Sequence, residues 1–309
     1  MYKIYINEAK ESWIVDRFRH EFKNEYPHLC TENIKESDII WIIAPWTWKK
    51  IPNKYLKSKK VVCTIHHLEE KELHNEYLKE FIKRDNYVDL YHVISKKTIQ
   101  QIDSITNKKL KYLPFWVNPK NYFYIKNKDD LRKKYGFQES DYLVGSFQRD
   151  SEGKNVNLPK LIKGPDRLFE IIKHYWEIDN KKNMKVVLTG YRRNYIINKL
   201  TEQNIPYRYF EKTNIESLNE LYNILDLYIV SSRTEGGPQS IVESAITKTP
   251  IISTDVGIAS EILHEDSLFN MKNFTVSKPD VEYALNSVQK YLIPNYFDNF
   301  LELFEEIAK

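Results

Sequence analysis

The 309-residue chain alternates short apolar runs with longer stretches of helical period. Apolar, β-branched runs bounded by polar turns read as buried strands, and strands separated by helical stretches read as parallel α/β units. In the first half the strand candidates are YKIYI (2–6), DIIWII (38–43), KVVCTI (60–65), DLYHVI (89–94) and LKYL (110–113). In the second half they are YLVGSF (142–147), MKVVLTG (184–190), YRYF (207–210), LDLYIVSS (225–232) and PIIST (250–254). Helical periodicity fills the gaps, as at 164–178 and 214–225. Segment 113–123, LPFWVNPKNYF, carries two prolines and no period, and reads as a linker between two domains. The last segment places Phe297, Phe300, Leu301 and Phe304 on one helical face, which predicts a helix packed on the body of the protein.

Length supports the same division, because the chain is long for one ordinary domain and comfortable for two. Hydrophobic content of 41% with 29% charged residues excludes a disordered chain. Lys, Asn, Ile and Tyr are abundant, in the manner of an AT-rich genome, so a single lysine carries little information. No run approaches the ~20 apolar residues of a membrane span. The opening MYKIYINEAKESW lacks the basic-then-apolar layout of a signal peptide. Cys30 and Cys63 sit beside apolar residues without metal spacing and read as reduced core thiols. A cytoplasmic protein is expected. The net charge of +4 divides unevenly, +6 over residues 1–120 and −2 over the rest. With no basic helix and no aromatic sheet signature, nucleic acid is not an expected partner.

All eight glycines (136, 145, 153, 164, 190, 236, 237 and 257) lie in the second half. A phosphate-binding loop needs residues that tolerate positive φ and let backbone amides approach oxygen. If a nucleotide binds, the second half is therefore its host. The densest signal there is SSRTEGGPQSIVESAITKTPIISTDVGIASEIL (231–263). A buried strand ends in a polar turn with Glu235, Gly236, Gly237 and Pro238, and a helix starts near Gln239. In an open α/β sheet ligands sit at the carboxyl ends of strands, and a glycine turn before a helix presents free N–H groups and the positive helix end to a diphosphate or to sugar hydroxyls.

This constellation resembles retaining glycosyltransferase family 4. Glu235, seven intervening residues and Glu243, followed by Ala245, Pro250, Gly257 and Glu261, are similar to its donor-site signature. VGSFQRDSEG and KLIKGPDRLFEII (144–172) are similar to its strand–Arg–Lys-Gly–helix segment, and VVLTG (186–190) to the strand that follows. LPFWVNPKNYF resembles the family's interdomain linker, and KVVCTIHHLEEKE the strand that ends in an active-site histidine. The resemblance implies two Rossmann-like domains facing a cleft (the GT-B fold): an acceptor-side domain over 1–118, a nucleotide-sugar domain over 119–290, and a C-terminal helix, 291–309, crossing back to the first domain. It implies transfer of a sugar from a nucleoside diphosphate sugar to a hydroxyl of a glycan or lipid-linked acceptor, with retention, as in bacterial surface polysaccharide or glycoconjugate synthesis. Arg149 and Lys163 stand at the two cationic positions that grip the diphosphate, with Gly236 and Gly237 beside them. Glu235, Pro238, Gln239, Ser240 and Glu243 stand at the donor sugar and ribose positions. His66 and Glu235 hold the catalytic positions. Adjacent strand residues point to opposite faces, so one of His66 and His67 reaches the site, and the motif aligns His66. Two side-chain cations at the diphosphate imply no metal and no other cofactor.

The chain departs from the family at Gly236, where a bulky Phe is usual, and at Thr249, where a Gly is usual before Pro250. Both imply a reshaped sugar pocket. The usual N-terminal glycine loop is missing, which removes a grip on the phosphates from the first half. Asp150-Ser151-Glu152 could be mistaken for the metal-binding acid pair of the other major transferase fold, but it reads as a solvated loop. Arg192 and Arg193 read as surface charges, and His92 as packing. APWTWKKIPNKYLKSKK (44–60), with Trp46, Trp48, six lysines and no acid, reads equally as a solvated loop or as a peripheral contact with an anionic membrane surface. Two other functions share this layout: a nucleotide-sugar hydrolase or epimerase, and a non-catalytic glycan- or nucleotide-binding protein.

Overall fold

The computed structural model describes residues 2–11, 14–68, 76–151, 155–178 and 183–309. It divides into two units, Met1–Trp116 with Ile293–Lys309, and Val117–Leu292.

In the first unit, strands β1 (Ile4–Ile6), β2 (Ile39–Ile42), β3 (Lys60–Ile65), β4 (Leu90–Val93) and β5 (Lys109–Tyr112) form one parallel sheet in chain order. Helices α1 (Ile14–Glu25), α2 (Asn53–Leu56), α3 (Glu76–Asp85) and α4 (Lys96–Ile102) connect them. Strand alternation sorts the side chains onto two faces. Ile40, Ile42, Val61, Cys63, Tyr91 and Val93 pack with Leu56, Phe81 and Ile102 from three of the helices. On the other face stand Trp41 and His92, both fully buried. Beyond β1, Ile4 bridges Cys30, with its N–H donating to Leu29 O at 2.7 Å. The chain thus runs from β1 through α1 to one edge, then crosses to β2 on the other side.

The segment 44–60 folds onto this sheet and is not a free loop. A 3-10 turn, Pro45–Lys50, is followed by α2, and Trp48 and Leu56 enter the core. Lys49 pairs with Glu80, and Lys59 donates to the carbonyls of Lys35 and Ser37. Trp48 is therefore unavailable to any surface, and Trp46, half exposed, is the segment's one accessible indole. No helix among the described residues is long and apolar enough to cross a membrane.

The second unit carries β6 (Tyr142–Ser146), β7 (Met184–Thr189), β8 (Tyr207–Phe210), β9 (Leu227–Val230), β10 (Ile251–Thr254) and β11 (Leu268–Phe269). They form a parallel sheet in the order β11-β10-β9-β6-β7-β8. Its helices are α5 (Lys128–Lys134), α6 (Pro165–Ile178), α7 (Asn194–Glu202), α8 (Ile215–Ile224), α9 (Gln239–Ile246), α10 (Ala259–Ile262) and α11 (Val281–Val288). Val144, Val186, Leu188, Ile229 and Ile252 pack under Leu168, Ile171 and Ile172 of α6 and Ile196 and Leu200 of α7. All ten strand candidates are present, and β11 is additional.

The last helix, α12 (Phe297–Ala308), belongs to the first unit. Phe297 stands 4.7 Å from Trp116, Phe304 5.2 Å from Trp41, and Phe300 5.3 Å from His92, ring centre to ring centre. Phe115 stacks on Phe18 at 4.0 Å. The proline-bearing segment read as a linker is thus anchored here by two buried aromatics. The buried face of α12 runs through Phe297, Phe300, Leu303, Phe304 and Ile307. Leu301, expected on that face, is half-buried beside it.

Candidate functional site

Strands β6 and β9 are parallel neighbours, with Val144 opposite Leu227 and Gly145 opposite Tyr228. The chain leaves β6 toward β7 and β8 on one side and later reaches β9 on the other. Loops leaving two such strands diverge, and the crevice at their carboxyl ends is where doubly wound sheets hold ligands. The loop after β6 carries Gln148 and Arg149, and the loop after β9 carries Ser232 to Pro238.

Two glycines bring the loops together. Gly164 has φ +64°, and a Cβ there would lie 1.9 Å from Ser231 O. The turn Leu161–Lys163 can therefore press against the end of β9, and the Ser231 hydroxyl donates to Gly164 O at 2.8 Å. Arg233 locks the same contact, because its N–H donates to Ile162 O and its guanidinium grips Asp166 through both terminal nitrogens at 2.7 and 2.5 Å. Gly257, at φ +52°, does the same for the glycine turn, since a Cβ there would lie 2.1 Å from Gly236 O.

These approaches place the Lys163 ammonium 2.6 Å from Glu235 Oε1. The Ser232 hydroxyl donates to the same oxygen at 3.0 Å. Gln148 ties the group to β6: its amide N–H donates to Lys163 O (2.7 Å), and its carbonyl oxygen, 3.1 Å from Ser232 Oγ, shares that hydroxyl's one proton with Glu235 Oε1. Among the described residues Glu235 Oε2 has no hydrogen-bond partner. The ion pair is partly buried, with side-chain exposures of 18% and 11%, so solvent screens it only in part.

Helix α9 begins directly after the glycine turn. Pro238 is its N-cap and supplies no side-chain cap; the Ile241 N–H turns back to Pro238 O at 3.0 Å, while among the described residues the Gln239 and Ser240 N–H groups have no partner and are left for an incoming acceptor. Gly236 is buried, and Gly237, Pro238, Gln239 and Ser240 are half-buried. The buried Gln239 Oε1 has no partner among the described residues. Glu243 is 5% exposed, and the Tyr222 hydroxyl donates to its Oε2 at 2.9 Å. Burial, then the Glu243 charge, drive the Tyr222 hydroxyl well above its ordinary pKa. Glu243 is thus tied to Tyr222 through one oxygen, while Glu235 stands with Lys163.

Arg149 is half-buried, and its Nε donates to Ser151 O at 2.8 Å. The neighbouring residues correct two expectations from the sequence. Asp150 is not solvated: it is 1% exposed, lies 3.2 Å from Arg193 Nε and accepts the Ile196 N–H. Arg193 is not a surface charge: its guanidinium, 1% exposed, donates to Ser146 O and Thr189 O at the ends of β6 and β7. Burial pushes the Asp150 carboxyl up, against the lowering pull of Arg193. Glu152, the other half of the acid pair, and Gly153 lie outside the described residues. Among the described residues no group of three His, Cys, Asp or Glu side chains is gathered for a metal ion.

His66 stands in the first unit, just past β3. Its Nε2 donates to Ile43 O at 2.9 Å, which makes Nδ1 the accepting nitrogen of the neutral ring. Burial pushes its pKa down to about 4, so the ring is neutral at pH 7. Phe115 stacks against it at 5.8 Å and Trp46 lies at 5.6 Å on a tilt. His67 is half-buried, and Glu69 to Glu72 of the same motif lie outside the described residues.

Residues 127–295, more than half of the chain, match the family model for glycosyl transferases group 1. The chain belongs to the group 1 glycosyl transferases. No curated protein matches it in sequence. Among solved structures it is similar to HepE of Anabaena in complex with UDP and glucose, with a TM-score of 0.77 and 11% identity over 99% of this chain and 100% of that one. A sucrose-phosphate synthase from Thermosynechococcus elongatus gives 0.62, at 15% identity over 95% and 75% of the two chains. A TarM variant from S. aureus, in complex with Fondaparinux, alpha-GlcNAc-glycerol and UDP, gives 0.64, at 16% identity over 91% and 57%. At these identities the likeness is one of fold, two parallel-sheet Rossmann-like domains of the GT-B type. Within the group 1 match lie Arg149, Lys163, Glu235 to Ser240 and Glu243. Gln148, Ser232 and the Arg233–Asp166 clasp are further parts of this site, and the polar pair ending LDLYIVSS is their one trace in the sequence.

Proposed function

We propose that this glycosyltransferase moves a sugar from a nucleoside diphosphate sugar to a hydroxyl of a glycan or lipid-linked acceptor, with retention and without a metal, in the making of a surface polysaccharide or glycoconjugate. The observation that carries this is the Lys163–Glu235 pair at the carboxyl ends of β6 and β9, beside the uncapped start of α9. An ammonium whose one partner among the described residues is Glu235, together with a helix N-terminus, suits a diphosphate. A carboxylate whose second oxygen has no partner among the described residues suits sugar hydroxyls. HepE, bound to UDP-glucose in one structure and to UDP and glucose in another, makes UDP-sugars the first donors to test.

In this reading Lys163 and Arg149 balance the charge that grows on the departing diphosphate, with Gly236, Gly237 and the α9 amides adding fixed dipoles. Glu235, Pro238, Gln239 and Ser240 hold the donor sugar, and Glu243 meets the ribose. The acceptor hydroxyl attacks the anomeric carbon on the face the diphosphate leaves, and its proton passes to a leaving phosphate oxygen. Retention follows from that shared face. His66 contributes to turnover through its accepting Nδ1.

The test is a panel of UDP-, GDP-, ADP- and CMP-sugars with and without acceptor, followed by proton NMR of the product's anomeric signal. Retention predicts the donor's own anomeric configuration in a product made only when acceptor is present. An inverted product overturns the mechanism, and sugar released equally without acceptor favours a hydrolase.

A further inference from the structure

Trp46 is an exposed aromatic whose setting is rigid. The residue is 49% exposed, yet the turn beneath it is stapled from inside. The buried Asn7 side chain donates to Ala44 O (3.0 Å) and Thr47 Oγ1 (2.7 Å), and accepts from Ala44 N–H (3.1 Å). The indole itself is gripped from the side, where Nε1–H donates to Glu11 Oε1 at 3.0 Å. Glu11 is in turn fixed by Asp16 of α1, whose carboxylate accepts the N–H groups of Lys10 and Glu11 at 3.2 and 2.9 Å. Lys10 lies at φ +60°, a conformation a lysine rarely adopts, and the Asp16 contacts hold it there.

We propose that Trp46, with Glu11 and His66, forms a saccharide subsite in which the C–H face of a pyranose stacks on the indole. A rigid ring loses little freedom when a ligand covers it. Glu11 Oε2 and His66 Nδ1 are acceptors flanking the ring, and sugar hydroxyls are donors. A membrane contact would need the indole N–H free for the interface, and here it is bonded to a carboxylate that anionic lipid repels. The inference rests on the proposed transferase reading only in treating the neighbouring His66 as part of its catalytic machinery. It names the acceptor as a pyranoside and Trp46 as a determinant of which one is accepted.

The test uses the full chain labelled with 15N, in which Trp46→Phe identifies the Trp46 indole signal by its loss. Methyl and p-nitrophenyl pyranosides of glucose, galactose and N-acetylglucosamine are titrated, then vesicles of phosphatidylethanolamine and phosphatidylglycerol. The Trp46 signal is expected to move with at least one pyranoside and not with vesicles. Binding of that pyranoside should weaken about tenfold in Trp46→Ala and less in Trp46→Phe, the scale of one lost aromatic contact. UDP affinity should not change in either variant. A signal that no pyranoside moves, or that only vesicles move, overturns the subsite. UDP binding insensitive to Lys163→Ala overturns the donor reading instead, and leaves the pyranoside result to be judged by itself.

Discussion

One oxygen of Glu235 receives both Lys163 and Ser232, and the other has no hydrogen-bond partner among the described residues. A neutral amide at this position keeps the shape and removes the charge that a sugar hydroxyl would meet. Glu235→Gln is therefore expected to leave UDP affinity within about threefold while lowering kcat/KM by about 2–4 kcal/mol, the scale of one positioned group in a transition state. Calorimetry beside initial rates measures both, and equal losses in the two would place Glu235 on the diphosphate. A second residue-scale expectation concerns acid. Burial pushes His66 down to about 4 and His92 to about 3, from an ordinary 6.5. In the window below 6.5 the unfolded chain takes up protons first, so stability is full above 6.5 and falls as pH drops toward the folded values. His92→Gln should flatten the loss of urea midpoint between pH 7 and pH 5, and an unchanged slope would contradict the assignment. Lys163 illustrates the limit of reading single residues, since in a lysine-rich chain only its neighbours, Gly164 and the strand before it, made it a candidate. Asp150 and Arg193 were illegible for a different reason. They are 43 positions apart, each is polar, and no local pattern says that a buried ion pair joins them.

Strands were the most legible elements, because a sheet covered on both faces demands unbroken apolar runs. The two-residue β11 escaped, being too short to show a period. Segment 44–60 reads as a loop because its lysines mask the three positions that enter the core, Trp48, Ile51 and Leu56. Turn glycines were legible as a cluster but not in their task. Gly164 and Gly257 each let a loop approach a carbonyl that a side chain would strike. Gly257→Ala must move the Gly236 carbonyl and adopt φ +52° with a Cβ. It is expected to cost about 1–3 kcal/mol of stability and to weaken UDP binding with it. A thermal melt and a UDP titration report the two effects, and unchanged values in both would show that the glycine turn is not held by this contact.

At the scale of the molecule, each Rossmann-like unit carries its own candidates: His66, Trp46 and Glu11 in the first, and the cations, both carboxylates and the glycine turn in the second. The absence of glycine from the first half already pointed to this division. His66→Ala is accordingly expected to lower turnover at saturating donor by at least about tenfold while UDP affinity holds, as for a group whose contact matters in the transition state. A loss of UDP affinity with turnover preserved would contradict that role. The central claim is that the loops after β6 and β9 bind a nucleoside diphosphate through side-chain charge in place of a metal. Calorimetric titration of UDP into the EDTA-treated protein and its Lys163→Ala variant tests it most directly. The expected result is binding in EDTA, weakened by about 1–3 kcal/mol in the variant, the scale of a charge-assisted hydrogen bond. Binding that appears only when Mn²⁺ is restored, or that is equally tight in Lys163→Ala, would contradict it.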